Sequence, residues 1–146
     1  MAFSDILVPI DFSETSLRAL RLAVNLTHAG NVRLHLVNIG VTPYVDVGPY
    51  GASVPAVLIA ANDHMAAEAK SALERVAREE IPQGVEVHTH VRTGFPPEEI
   101  LAEAAECKAD LIVIGTHGRT GVERVLLGSV AERVIRAAKI PVLTTH

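Results

Sequence analysis

The chain alternates short, nearly continuous aliphatic segments with longer segments in which apolar positions recur every three or four residues. The short segments are rich in β-branched residues and the long ones have helical period, so the order reads strand, helix, strand throughout. Asp5 to Ile10 is a first strand, and Ser13 caps a first helix that turns Leu17, Leu20 and Val24 inward and ends near Gly30. Val32 to Ile39 is a second strand, followed by a helix over Met65 to Glu80 with Met65, Ala69, Ala72, Leu73 and Val76 as its apolar stripe. Val85 to Arg92 is a third strand, and Pro97 opens a third helix with Glu98 and Glu99 complementing the dipole of its first turn. Asp110 to Gly115, the most continuous apolar run, reads as a central strand. A last helix begins near Ser129, with Val130, Val134, Ile135 and Ala138 inward, before a final strand over Pro141 to Thr145.

This order predicts one domain over residues 1–146: an α/β fold with a single doubly wound, five-stranded parallel sheet and helices on both faces. Residues 40–55 break the rhythm with Pro43, Gly48, Pro49, Gly51 and Pro55, and form a long loop. Val54 to Ala61 is apolar and reads as the buried start of the second helix in preference to a partner-facing patch.

Composition sharpens the core: 49% of residues are hydrophobic but only 3% aromatic, so the packing is aliphatic, as parallel strands under helices require. The net charge of −4 comes from interspersed acids and bases, which excludes the basic face needed for nucleic acid or an anionic membrane. Cys107 is the one cysteine and sits in an apolar helical stretch, where a free thiol packs; the cytosol is the expected compartment. The first residues carry no basic leader, and no apolar run approaches the ~18 residues of a membrane span.

In an open parallel sheet a ligand sits beyond the carboxyl ends of the strands, which directs attention to residues 10–13, 38–55, 93–96 and 115–128. The last stretch holds Gly115-Thr116-His117-Gly118-Arg119, then Gly128-Ser129 opening a helix. Gly115 and Gly118 let a backbone approach a ligand, Gly128 and Ser129 add N–H groups and a helix dipole, and Arg119 adds a cation. Each glycine alone also suits an ordinary turn, but three at one sheet edge favour an anion site. Neither a P-loop nor a dinucleotide fingerprint is present. The residues by themselves therefore stop at a phosphate-bearing ligand.

The spacing Gly115-x2-Gly118-x9-Gly128-Ser129 resembles the glycine motif of ATP-binding universal stress proteins. Residues 6–13, Gly94-Phe95-Pro96, residues 110–115 and Pro141-Val142-Leu143 are similar to the family as well, and only residues 40–60 lack a counterpart. The resemblance implies a Rossmann-like fold of the adenine nucleotide alpha hydrolase type and a cytoplasmic, ATP-binding regulatory module of the stress response. By position it implies Pro9, Ile10 and Asp11 beside adenosine, Val37 against adenine, and Gly115, Thr116, His117, Gly118 and Arg119 along ribose and phosphates. Gly128, Ser129 and Val130 would hold the phosphates, with Ala131 beside them where some relatives carry a hydroxyl. It also implies a homodimer through the final strand, residues 141–145, whose edge carries no guarding charge.

Several residues leave two readings open. Asp11 serves as a helix cap or a nucleotide contact, Arg119 as a solvated side chain or a phosphate ligand, and His117 as a phosphate donor or a solvent-facing ring. His88 and His90 project from one face of a strand, yet no third ligand accompanies them, so no protein metal site is expected and any Mg²⁺ rides on the ATP phosphates. No catalytic residue is assigned. The alternative function is a slow ATPase or nucleotide-transfer enzyme, against which stands the lack of a general base beside the glycine loop.

Overall fold

The computed structural model describes residues 2–28, 30–41, 56–117 and 127–146. Within them the order is β1 (Asp5–Pro9), α1 (Glu14–Thr27), β2 (Arg33–Gly40), α2 (Ala56–Glu80), β3 (Glu86–Thr93), α3 (Pro96–Glu106), β4 (Leu111–Gly115), α4 (Ser129–Ala137) and β5 (Val142–Thr145). All neighbouring strands are parallel, and the spatial order is β3-β2-β1-β4-β5. The five-stranded parallel sheet inferred from the alternating pattern is therefore the observed fold.

Alternation along each strand divides the core between the two faces of the sheet. Ile6, Val8, Leu34, Leu36, Leu111 and Val113 pack against α1 and α2, with Leu20 and Leu73 fully enclosed. Leu7, Val37, Ile112 and Ile114 pack on the other face against Ile100 and Ala104 of α3 and Ala131 and Val134 of α4. Among the described residues the buried members of both clusters are aliphatic, with Phe3 and Phe12 half-buried against the first.

Local signals locate most element ends. Ser13 is the N-cap of α1, its hydroxyl accepting from the Ser16 N–H at 3.2 Å. Pro96 and Pro97 fill the first two positions of α3, one residue ahead of the expected start. The first helix ends at Thr27, short of the glycine taken as its stop.

Three expectations about burial need correction. The second helix begins at Ala56, nine residues before Met65. Its 25 residues span about 37 Å, whereas the eight residues of β2 span about 26 Å, so the helix outruns the sheet. Ala60 and Ala61 are accordingly exposed where a buried helix start was expected, and Met65 is 59% exposed. On α4, Ile135 is exposed and Ala131 is buried in its place, because the sheet-facing stripe runs through Ala131, Val134 and Ala138.

Candidate functional site

The sheet order makes β1 the switch point: successive crossovers move outward to β2 and β3, and then back across β1 to β4 and β5. Brought together at the carboxyl ends of β1 and β4 are the turn that follows Pro9 and the turn that follows Gly115.

At the β1 end, Ile10 donates its N–H to the Val37 carbonyl at 2.8 Å, and Asn38 Nδ2 donates to the Ile10 carbonyl at 2.8 Å. These bonds hold the turn against β2. Phe12 then takes a left-handed backbone with φ 65°, which bends the chain so that Asp11 Oδ1 accepts from both the N–H and the hydroxyl of Ser13. Asp11 thus orients the residue that caps α1, and its Oδ2 has no partner among the described residues. The cap and nucleotide readings of Asp11 are compatible, one for each carboxylate oxygen.

At the β4 end, a Cβ placed on Gly115 would meet the Thr15 carbonyl oxygen and Cγ2, both at 2.9 Å. The first turn of α1 therefore occupies the space beside Gly115 that sequence reasoning gave to a ligand. Thr116 donates its N–H to the Thr145 carbonyl at 2.9 Å and its hydroxyl to the same oxygen at 3.2 Å. Its own carbonyl accepts the N–H of Gly128 at 2.5 Å. Thr116 Oγ1 also lies 2.9 Å from His117 Nδ1, with the imidazole tautomer deciding which of the two donates. That leaves His117 Nε2 as the other ring nitrogen, buried and without a partner among the described residues.

Gly128 is the N-cap of α4 and supplies no side-chain cap. The first intrahelical bond runs from the Glu132 N–H to the Gly128 carbonyl at 2.9 Å, so the N–H groups of Ser129, Val130 and Ala131 precede it and have no acceptor within the helix. Ser129 is exposed and Val130 half-buried, whereas Ala131 is buried against the sheet and offers its backbone only. Val37 is also fully enclosed, so at the end of β2 the half-buried side chains are those of Asn38 and Ile39. Pro9 is half-buried and Ile10 buried. Gly118 and Arg119, together with most of the 40–55 loop, lie outside the described residues.

Sequence reading missed Asn38 and Thr145, which brace the two turns. A polar amide between the apolar Val37 and Ile39 at the end of the strand was the available signal for Asn38; nothing local distinguished Thr145. Among the described residues, no group of three or more His, Cys, Asp or Glu side chains is arranged to hold a metal ion. Also among them, no helix is long and apolar enough to cross a membrane.

Comparison with known proteins bears on this geometry. A sequence profile described as the universal stress protein family matches residues 2–146. The chain is 38% identical to universal stress protein MJ0531 of Methanocaldococcus jannaschii over 142 residues, 97% of this chain and 81% of that protein. The solved structure of the hypothetical protein MJ0577 superposes with a TM-score of 0.86 at 30% identity, covering 99% of this chain and 96% of the other. A universal stress protein solved in complex with cAMP has a TM-score of 0.65 at 27% identity, with 100% and 98% coverage. One from Archaeoglobus fulgidus solved in complex with dAMP has a TM-score of 0.58 at 28% identity, with 99% and 98% coverage.

Proposed function

We propose, from the premise that this chain belongs to the universal stress protein family, that it is a cytoplasmic ATP-binding module whose nucleotide occupancy regulates a partner. The observation that carries the proposal is the convergence, at the end of β4, of polar groups that have no partner among the described residues. The three N–H groups opening α4 and His117 Nε2, which has no partner among the described residues, flank the contact between Thr116 and Gly128. Helix N-terminal N–H groups and the positive end of the dipole suit an anion. His117 Nε2 suits a ribose hydroxyl as an acceptor or a phosphate as a donor, according to the tautomer.

In this reading the phosphates lie over Gly128, Ser129 and Val130, the glycine motif assigns Gly118 and Arg119 to the ribose and phosphates, and Mg²⁺ is carried by the phosphates. Asp11 Oδ2 and the Pro9–Ile10 backbone take the ribose and base. The bound cAMP and dAMP of two structural relatives support an adenine nucleotide as the ligand class. ATP as the specific ligand rests on the glycine motif. The chain pairs with a second copy through β5, the edge strand, whose Leu143 is exposed.

Mass spectrometry of ligand released from denatured, purified protein tests the proposal. An adenine nucleotide near one per chain supports it; a flavin, a nicotinamide or another non-adenine ligand in its place rejects it.

A further inference from the structure

On the α3 face of the sheet, away from the turns described above, two histidines lie end to end between two carboxylates. His35 on β2 and His88 on β3 are in register, as are Val37 and His90, so all three imidazoles stand on the face that α3 covers. His35 Nε2 lies 3.0 Å from Asp5 Oδ1, and His90 Nδ1 lies 3.1 Å from Glu103 Oε1. The remaining nitrogens, His35 Nδ1 and His90 Nε2, face each other at 3.5 Å. Asp5, His35 and Glu103 are all buried.

The proton count decides what this arrangement is. Each carboxylate is an acceptor, so each needs an N–H from its imidazole, and the facing nitrogens need one proton between them. Three N–H protons are required, but two neutral imidazoles carry only two. With both rings neutral, either two lone pairs oppose each other at 3.5 Å or a lone pair faces a carboxylate, in a setting where an unpaired polar atom is costly.

The surrounding charges fit a single added proton. Arg33 binds Asp5 through both carboxylate oxygens at 2.7 Å, which keeps that group an acceptor. Arg92 donates to Glu103 at 3.0 Å while also engaging Glu99 and Glu106 of α3. His88 stacks on His35 with ring centroids 5.2 Å apart, but its Nε2 is turned outward to Glu86 at 2.9 Å, so it stands beside the row without belonging to it. Asp110, behind β1, is occupied with the N–H groups of Ser4 and Asp5. Two carboxylates favour the first positive charge, and that charge opposes a second.

We infer that His35 and His90 bind one proton jointly near neutral pH, and that this shared proton completes a row from Asp5 to Glu103 that fastens α3 to the sheet. Burial first, and then the neighbouring cations against the pull of Glu103, hold His90 itself below the usual histidine range, which opposes a second proton on the pair. Raising the pH removes the shared proton and breaks one of the three contacts, so the seating of α3 is sensitive to pH. The device is independent of the nucleotide reading.

Long-range ¹H–¹⁵N spectra of the full chain between about pH 5 and about pH 9 count the ring protons directly. The expected result is three N–H protons on the pair near neutrality, one common midpoint for both rings, and amide shifts over residues 99–106 that follow it. Amide exchange in α3, corrected for its intrinsic pH dependence, should rise about fivefold above that midpoint, the equivalent of one net hydrogen bond. Glu103→Gln should lower the midpoint by about one pH unit, whereas His88→Gln should leave the proton count at three. Independent midpoints, or two protons near neutrality, would overturn the inference even if every variant failed to fold. Spectra altered by EDTA would also overturn it, since they would place a metal ion where the proton is assigned.

Discussion

Gly128 donates its N–H to the carbonyl oxygen of Thr116, and a Cβ on Gly128 would collide with that same oxygen. The contact pins the start of α4 to the end of β4. It also means that glycine is required at 128 by the protein's own backbone, before any ligand is considered.

Gly128→Ala and Gly115→Ala should therefore both lower the stability of the ligand-free protein, by about 1–3 kcal/mol each, because the obstructing atoms include backbone carbonyls that cannot swing aside. Urea unfolding without nucleotide checks this. Unchanged midpoints would show that the glycines serve the ligand alone.

That result marks the boundary of what the sequence discloses. Ser13 as a cap, Pro97 at a helix start to within one residue and Gly128-Ser129 opening α4 were legible because each signal is local. The doubly wound parallel sheet followed from the alternation of strand and helix, whereas its strand order came only from the fold. The reason for Gly115 was not legible, since Thr15 reaches it only through tertiary packing. Met65 and Ile135 were misplaced because a helical period says which residues share a face and not how far the opposing sheet extends. His90 and Glu103 are 13 positions apart, and only the fold sets them in contact.

Acid stability should depend on Asp5 and His90. The Arg33 guanidinium holds the Asp5 carboxyl below the usual carboxylate range, so its contribution is complete above about pH 4 and is lost as pH falls through the lower folded value. Burial holds His90 below the usual histidine range, so the folded pair, already holding its shared proton, resists the second proton that the unfolded chain takes up below about pH 6.5, and stability falls as pH falls. Thermal unfolding from pH 7 to pH 3 should show both declines. His90→Gln should flatten the upper one and Asp5→Asn the lower; curves parallel to wild type would contradict these origins.

Cys107 should be a slow nucleophile. Burial pushes its thiol up from the usual range, so little thiolate forms near neutrality. Reaction with a disulfide reagent should be at least about tenfold slower in the native protein than in urea-unfolded chain; equal rates would refute a packed, protonated thiol.

Pairing through β5 should give twice the 15.6 kDa chain mass by light scattering. Leu143, exposed on that edge strand, is the position to test: Leu143→Lys places a charge where two copies would meet and should halve the mass with the far-ultraviolet spectrum intact. A monomeric wild-type protein at high micromolar concentration would remove the proposed interface.

The most direct measurement is calorimetric titration of ATP into the nucleotide-free protein and its Ser129→Glu variant. Ser129 is exposed at the first position of α4, so a carboxylate there favours the helix dipole and leaves the fold intact, while placing a negative charge where the phosphates are assigned. The predicted result is one site per chain in the wild type and at least about tenfold weaker binding in the variant, a difference of ~1.4 kcal/mol. Equal ATP affinity in the two folded proteins, or no binding to the wild type, would contradict a nucleotide site at the start of α4.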